Sequence, residues 1–122
     1  EIELPEGEGF HDKDGHARRH IRTRWWQTAP ATYLDVALVP DTTLHAIPDL
    51  PLADGVLPGY ANDKPVFVGH YWFQGTPQPL TDHIACLDYS VAARHGGRLA
   101  AYRWDGAGPL SEANFVWVEA AT

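Results

Sequence analysis

Lys64-Pro65-Val66-Phe67-Val68-Gly69-His70-Tyr71-Trp72 is a run of β-branched and aromatic residues. It is entered through Asp63-Lys64-Pro65 and left through Gln74-Gly75-Thr76-Pro77, a pattern that predicts a buried strand over residues 65–71. Its downstream end carries Gly69-His70. A histidine there projects from a rigid element into the region where α/β proteins place ligands, and glycine before it lets a ligand or another backbone approach closely. Taken alone, the residues favour a plainer reading, a hydrogen-bonded core histidine with a bulge at Gly69.

Downstream, Gln74 to Leu80 contains Pro77 and Pro79, which keep it out of a sheet interior. Residues 84–91 (Ile-Ala-Cys-Leu-Asp-Tyr-Ser-Val) predict a second strand, and His95-Gly96-Gly97 a turn. Residues 98–104 predict a third strand, Asp105 to Gly108 a further turn, and Phe115-Val116-Trp117-Val118 a fourth strand. Short connections of this kind force antiparallel neighbours. The expected fold class is therefore α+β, with a largely antiparallel β-meander over residues 64–118.

Upstream, residues 30–63 hold five prolines and predict an ordered surface coil, with one short element over 33–39 and a helical turn over 42–46. Residues 16–26 (His-Ala-Arg-Arg-His-Ile-Arg-Thr-Arg-Trp-Trp) fit two periods. Ala17, Ile21 and Trp25 recur every fourth residue, as in a helix, whereas Ile21, Thr23 and Trp25 alternate with arginines, as in a strand. The balance favours a helix, in which His16 and His20 lie one turn apart and within reach of a shared metal; solvent-facing histidines are the plainer alternative. The arginines could hold a phosphate bidentately, Arg22 and Arg24 being the candidates for substrate binding, or form a solvated basic face. Phe10 to Gly15 is turn chemistry. Its Asp-x-Asp-Gly run can open a calcium loop, but the remaining oxygen ligands and the closing Glu are missing. Residues 1–9, acidic with Pro5, Gly7 and Gly9, predict a connector.

Composition narrows the classes. At 122 residues the chain is one domain or part of one, and 44% hydrophobic residues supply a core. The net charge of −7 argues against a nucleic-acid polymer or an anionic membrane as partner. Five of the nine basic residues nevertheless fall within residues 13–24. A lone cysteine, Cys86, gives no internal disulfide, and no apolar run or leader pattern stands out. The expected location is cytoplasmic. The chain opens at Glu1 and contains no Met, so a trimmed or partial protein is expected.

The order and spacing of several segments resemble one family. Lys-Pro-Val-Phe-Val-Gly-His-Tyr-Trp, a Gly-x-Pro loop, Ala-Cys-Leu-Asp-Tyr-Ser-Val, a Gly-Gly turn and Leu-Ala-Ala-Tyr-Arg-Trp-Asp-Gly look like the end of a bacterial calcineurin-like metallophosphoesterase. The subset meant is the serine/threonine phosphatase or diadenosine tetraphosphatase-like one. The segment Asp-Lys-Asp-Gly-His…Ile-Arg-x-Arg-Trp-Trp is similar to the region upstream in those proteins. The likeness runs from about residue 8 to residue 118.

The resemblance implies a sandwich of two facing sheets flanked by helices, with two divalent ions (Mn, Fe, Zn or Ni) at the strand ends. It gives His70 the role of metal ligand, and Asp88 and Tyr89 supporting roles beside the metal or substrate, Tyr89 being otherwise a packing residue. The motifs Gly-Asp-x-His-Gly, Gly-Asp-x-x-Asp-Arg-Gly and Gly-Asn-His-Glu, which carry the other ligands in that family, are absent. The chain is therefore expected to be a carboxyl-terminal piece, inactive alone and holding no metal stably. Its expected partners are the amino-terminal half of the same enzyme, a phosphorylated small molecule or phosphoprotein substrate, and, through an exposed apolar face at residues 66–72, a second copy of itself. The competing expectation is a stand-alone domain that binds a phosphorylated or acidic ligand through the Arg18–Arg24 cluster.

Overall fold

The computed structural model describes residues 1–106 and 108–121. The chain divides into two compact units, Glu1–Tyr60 and Ala61–Thr122. The expected turn at Asp105 to Gly108 includes Ala107, which lies outside the described residues.

The first unit is built on an extended segment, residues 16–24. Four short strands contribute to it or pair with it: β1 (Ile2–Glu3), β2 (Phe10–His11), β3 (Ala17–Arg18) and β4 (His20–Ile21). β2 and β3 form an antiparallel hairpin with Phe10 opposite Arg18, and β1 lies antiparallel to β4 with Ile2 opposite Ile21. Beyond β4 the same segment pairs with residues 36–38: Thr23 bridges Ala37, Arg24 N–H donates to the Val36 carbonyl at 2.7 Å, and Leu38 N–H to that of Arg22 at 2.9 Å.

The helix expected over residues 16–26 is thus absent. Ile21 and Thr23 are buried on one side, and Arg18, His20, Arg22 and Arg24 alternate with them, which is the two-residue period of a strand. Ala17, which the helical reading would bury, is exposed. The amino-terminal residues are not a connector either. Glu3 pairs with His20, and Leu4 is only 2% exposed in a core shared with Ile21, Tyr33, Ala37 and Ile47.

α1 (Tyr33–Val36) is a single turn held by a reciprocal cap. The Thr32 hydroxyl accepts from Asp35 N–H at 3.2 Å, and the Asp35 carboxylate accepts from Thr32 N–H at 2.9 Å, so two otherwise orphan donors are satisfied. A 3₁₀ turn follows at Asp41–Ala46. The rest of this part of the chain is coil, except that residues 31–33 pair with residues 50–52.

In the second unit β5 (Val66–Val68) pairs with β6 (Ile84–Cys86), and β7 (Asp88–Tyr89), β8 (Arg98–Tyr102) and β9 (Phe115–Glu119) form a three-stranded antiparallel sheet. Among the described residues the architecture is α+β and mostly antiparallel, and no sheet closes into a sandwich or barrel. One pair departs from the expected meander: β5 and β6 are parallel, Val66 facing Ile84 and Val68 facing Cys86. The link between them, residues 69–83, has the length of about a dozen or more residues that a parallel return needs. β5 also stops at Val68, short of the expected end at residue 71, because His70 takes φ +65° and leaves the strand. The strand expected over 84–91 is interrupted at Leu87 and ends before Ser90, which has φ +63°.

Aromatic rings run in sequence through this unit: Tyr71–Phe73, Phe73–Tyr89, Tyr89–Phe115, Phe115–Tyr102 and Tyr102–Phe67, with centroids 5.1–6.5 Å apart. The buried centre is Ile84, Ala85, Cys86, Tyr89, Leu110 and Phe115. Of the apolar face expected at residues 66–72, Trp72 is 51% and Phe67 37% exposed, but the two most exposed apolar side chains lie elsewhere. Leu99 and Val118, opposite each other on β8 and β9, are 59% and 61% exposed, with Val116 beside them, whereas Val66 and Val68 are half-buried.

Candidate functional site

The loop that leaves β5 is held by Asp88. One carboxylate oxygen of Asp88, Oδ2, accepts from Trp72 N–H at 3.1 Å, and the other, Oδ1, from Ser90 N–H at 3.0 Å. The Asp88 carbonyl accepts from Phe73 N–H at 3.1 Å, and the Ser90 hydroxyl donates to the Phe73 carbonyl at 2.9 Å. Three residues of this small region have a left-handed backbone although none is glycine: His70 at φ +65°, Trp72 at +54° and Ser90 at +63°. Such conformations cost of order 1–3 kcal/mol each and persist only where surrounding contacts over-determine them, as at ligand sites. For Trp72 and Ser90 the Asp88 carboxylate supplies such contacts.

His70 is exposed at the end of a parallel strand, the position where open α/β sheets bind ligands. A Cβ placed on Gly69 would meet nothing within 4 Å, and Gly69 is not in the left-handed region. The packing of this unit therefore does not require glycine there, and the space beside His70 is open. Beneath the loop the thiol of Cys86 is buried. Burial pushes its pKa up, with the backbone N–H groups of Asp88 and Tyr71 pulling the other way, so it is an inert part of the packing. The Tyr89 hydroxyl donates to the Gln78 carbonyl at 3.3 Å and accepts from Gln78 N–H at 3.1 Å. Burial raises its pKa as well. Tyr89 thus ties the proline loop to the sheet.

A second constellation lies in the first unit. Asp12, Asp14 and His16 each offer a donor atom, all within 4.8 Å of one another, and among the described residues no other group of three His, Cys, Asp or Glu side chains does so. The β2–β3 turn creates it. Asp12 Oδ1 accepts from Asp14 N–H and His16 N–H, both at 2.9 Å, while Oδ2 accepts from Arg18 Nε and lies 2.8 Å from Arg18 Nη2. The three donor atoms can hold at most one cation, and Arg18 already occupies part of the charge that would attract it. Their i, i+2, i+4 spacing was the sequence signal. His16 and His20 are not one helical turn apart, because both sit in extended chain.

The same contacts hold the Asp12 carboxyl at about 2, well below the usual 3.8, through the His16 backbone N–H first and also through Arg18 and the Asp14 N–H, against a smaller opposing effect of desolvation. A carboxylate lowered in the folded state favours that state above its unfolded value and loses the effect as pH falls. The hairpin contacts of Asp12 are therefore expected to stay intact at pH 4 and to be lost only as pH falls through about 2. A carbon-detected titration of the Asp12 carboxyl checks this, and a midpoint near 3.8 would contradict it. In Arg18→Gln the midpoint should rise yet remain below 3.8, because the largest contribution is the His16 amide.

Of the two arginines singled out for substrate, Arg22 lines an open groove on the first unit. Arg24 Nη1 donates to the Ala37 carbonyl at 3.4 Å. No helix among the described residues is long and apolar enough to cross a membrane. Geometry thus defines an α+β chain with one group of three side chains able to hold a cation, and with a strained, clamped histidine loop at the end of a parallel strand. In comparison with known proteins, no family model, no curated protein and no solved structure matches this chain.

Proposed function

We propose that the chain is the carboxyl-terminal part of a metal-dependent phosphoesterase of the calcineurin-like kind, in which the His70 imidazole serves one ion of a metal pair. The observation that supports this reading is the His70 loop itself. A histidine with a left-handed backbone, preceded by a glycine that the chain's own packing does not need, follows the end of a parallel strand, in a loop whose Trp72 N–H is held by the Asp88 carboxylate. Metal-binding histidines are oriented by such surrounding hydrogen bonds, and the supporting groups matter nearly as much as the ligands.

His70 belongs to no three-donor group among the described residues, so these residues do not make a two-metal centre by themselves. The remaining ligands would come from the amino-terminal portion of the enzyme. Two divalent ions, when bound, supply an activated water and clamp the phosphoryl oxygens. The chain's own part is to present the imidazole, hold its loop through Asp88 and set the exposed Trp72 beside it.

The test is hydrolysis of p-nitrophenyl phosphate, with Mn added, by the protein expressed from its full reading frame, as wild type and as His70→Ala. Metal-dependent turnover by the wild type and its loss in a His70→Ala protein that melts normally are the expected results. Full activity of His70→Ala overturns the ligand assignment. A full-length protein without metal-dependent turnover overturns the enzyme class. Parallel assays with a phosphopeptide and a dinucleoside tetraphosphate then separate the two substrate classes.

A further inference from the structure

We propose a separate ligand site on the first unit, a cationic groove that takes a small oligophosphate anion. This inference does not rest on the phosphoesterase reading and needs neither His70 nor a metal.

The groove has a volume of about 460 Å³, within the range of small-ligand sites. One side is the extended segment, from which Arg18, His20 and Arg22 line it; Phe10, Leu38 and Val39 supply apolar wall. Alternate residues of a strand share a face and lie about 6.6 Å apart. The three side chains therefore stand on one face of the segment. The protein as a whole carries −7, whereas Arg18, Arg19 and Arg22 outnumber Glu1 and Asp12 in the lining of the groove, and the apolar walls strengthen that local excess by lowering the surrounding dielectric.

The groove is also preorganised. Arg18 uses Nε and Nη2 on the Asp12 carboxylate. A guanidinium has five N–H donors in a rigid fork, so its outer edge keeps donors fixed in direction. The backbone of Arg22 is anchored by Leu38 N–H on its carbonyl at 2.9 Å. Fixing donors in advance removes ordering cost from binding. Two carboxylates line the groove as well. Asp12 is paired with Arg18, which offsets part of that arginine's charge, and Glu1 opposes an anion.

The experiment uses this chain labelled with ¹⁵N and titrated with inorganic pyrophosphate at low ionic strength, where the Debye length is about 10 Å or more. Saturable shifts of amides in residues 17–22 and 38–40 are expected. Arg22→Gln should weaken binding about tenfold or more, the scale of one lost charge-assisted hydrogen bond, and Glu1→Gln should tighten it. Arg103→Gln, on the second unit, should leave it unchanged. Should Arg22→Gln fail to fold, Arg22→Lys keeps the charge without the fork and should still weaken binding severalfold. Failure to saturate at millimolar pyrophosphate, shifts that map elsewhere, or equal losses in the Arg22 and Arg103 variants would overturn the proposal.

Discussion

Gly97→Ala is expected to destabilise the second unit by about 3 kcal/mol, the upper end of what overpacking costs in a well-packed site. The reason is a backbone contact. A Cβ on Gly97 would overlap the Ser90 carbonyl oxygen, lie 2.6 Å from the Ser90 carbonyl carbon and 3.0 Å from Val91 Cα. None of these atoms can rotate away as a side-chain tip could. The residue is buried, and its carbonyl accepts from Ala120 N–H at 2.9 Å, tying the start of β8 to the end of β9. Relief therefore requires either the Ser90–Arg98 bridge or the β8–β9 end to open. For a unit of this size the shift in Tm should be on the order of 10–20 °C. Gly96→Ala is the control. Gly96 has φ +74° and nothing within 4 Å of a built Cβ, so it carries only the smaller left-handed penalty, about 1 kcal/mol. Urea unfolding of the two variants checks the order, and equal effects would show that conformation and not contact governs this turn.

Asp88→Ala is expected to cost about 1–2 kcal/mol, since it strips the acceptor from two backbone N–H groups at once, that of Ser90 part-buried and that of Trp72 open to water, a net hydrogen bond being worth about 1 kcal/mol. Trp72 and Ser90, the two residues whose N–H groups it receives, both have positive φ. Removing the clamp thus also removes what holds the strained conformations in place. Asp88→Asn keeps one acceptor oxygen and should lose about half as much. Hydrogen exchange at the Trp72 and Ser90 amides should speed up in Asp88→Ala while the Leu99 and Trp117 amides of the adjoining sheet change less. In the full-length enzyme Asp88 acts as a positioning residue under the proposed function. Asp88→Ala should then lower metal-dependent turnover by about 10–100-fold, the scale seen for groups that orient metal ligands. Adding Asp88→Ala to His70→Ala should cost no further activity. Asp88→Ala with unchanged stability and exchange would remove the clamp from the account of this loop.

Much of the second unit was legible locally. Residues 98–102 and 115–119 form strands close to where their aromatic and β-branched composition placed them, and His95-Gly96-Gly97 lies in the turn that separates β7 from β8. α1 falls inside the short element expected over 33–39, and the 3₁₀ turn covers the expected 42–46 and begins one residue earlier, at Asp41. His70 was singled out near the end of a strand expected to run to residue 71, and in the structure it lies two residues past the end of β5. The Asp12–His16 turn was likewise readable, since Asp, Gly and alternate donors act within a few residues of each other.

The rest depended on partners remote in the chain. Residues 16–26 carry both a helical and an extended period, with the balance towards a helix, and β1, β2 and residues 36–38 decide for extended chain by offering backbone partners. The direction of β5 against β6 rests on how residues 69–83 return, which no local pattern encodes. The Asp88 clamp joins residues 16 apart, and it holds Trp72 and Ser90, both left-handed, across that distance. What the sequence by itself determined is where the chain turns, which stretches are strand-like and which side chains carry charge or could ligate a metal. Tertiary structure alone decided which strands pair, which faces are buried and which backbone is strained, because local propensities here differ by about 1 kcal/mol or less, whereas hydrogen bonds and burial between distant segments outweigh them.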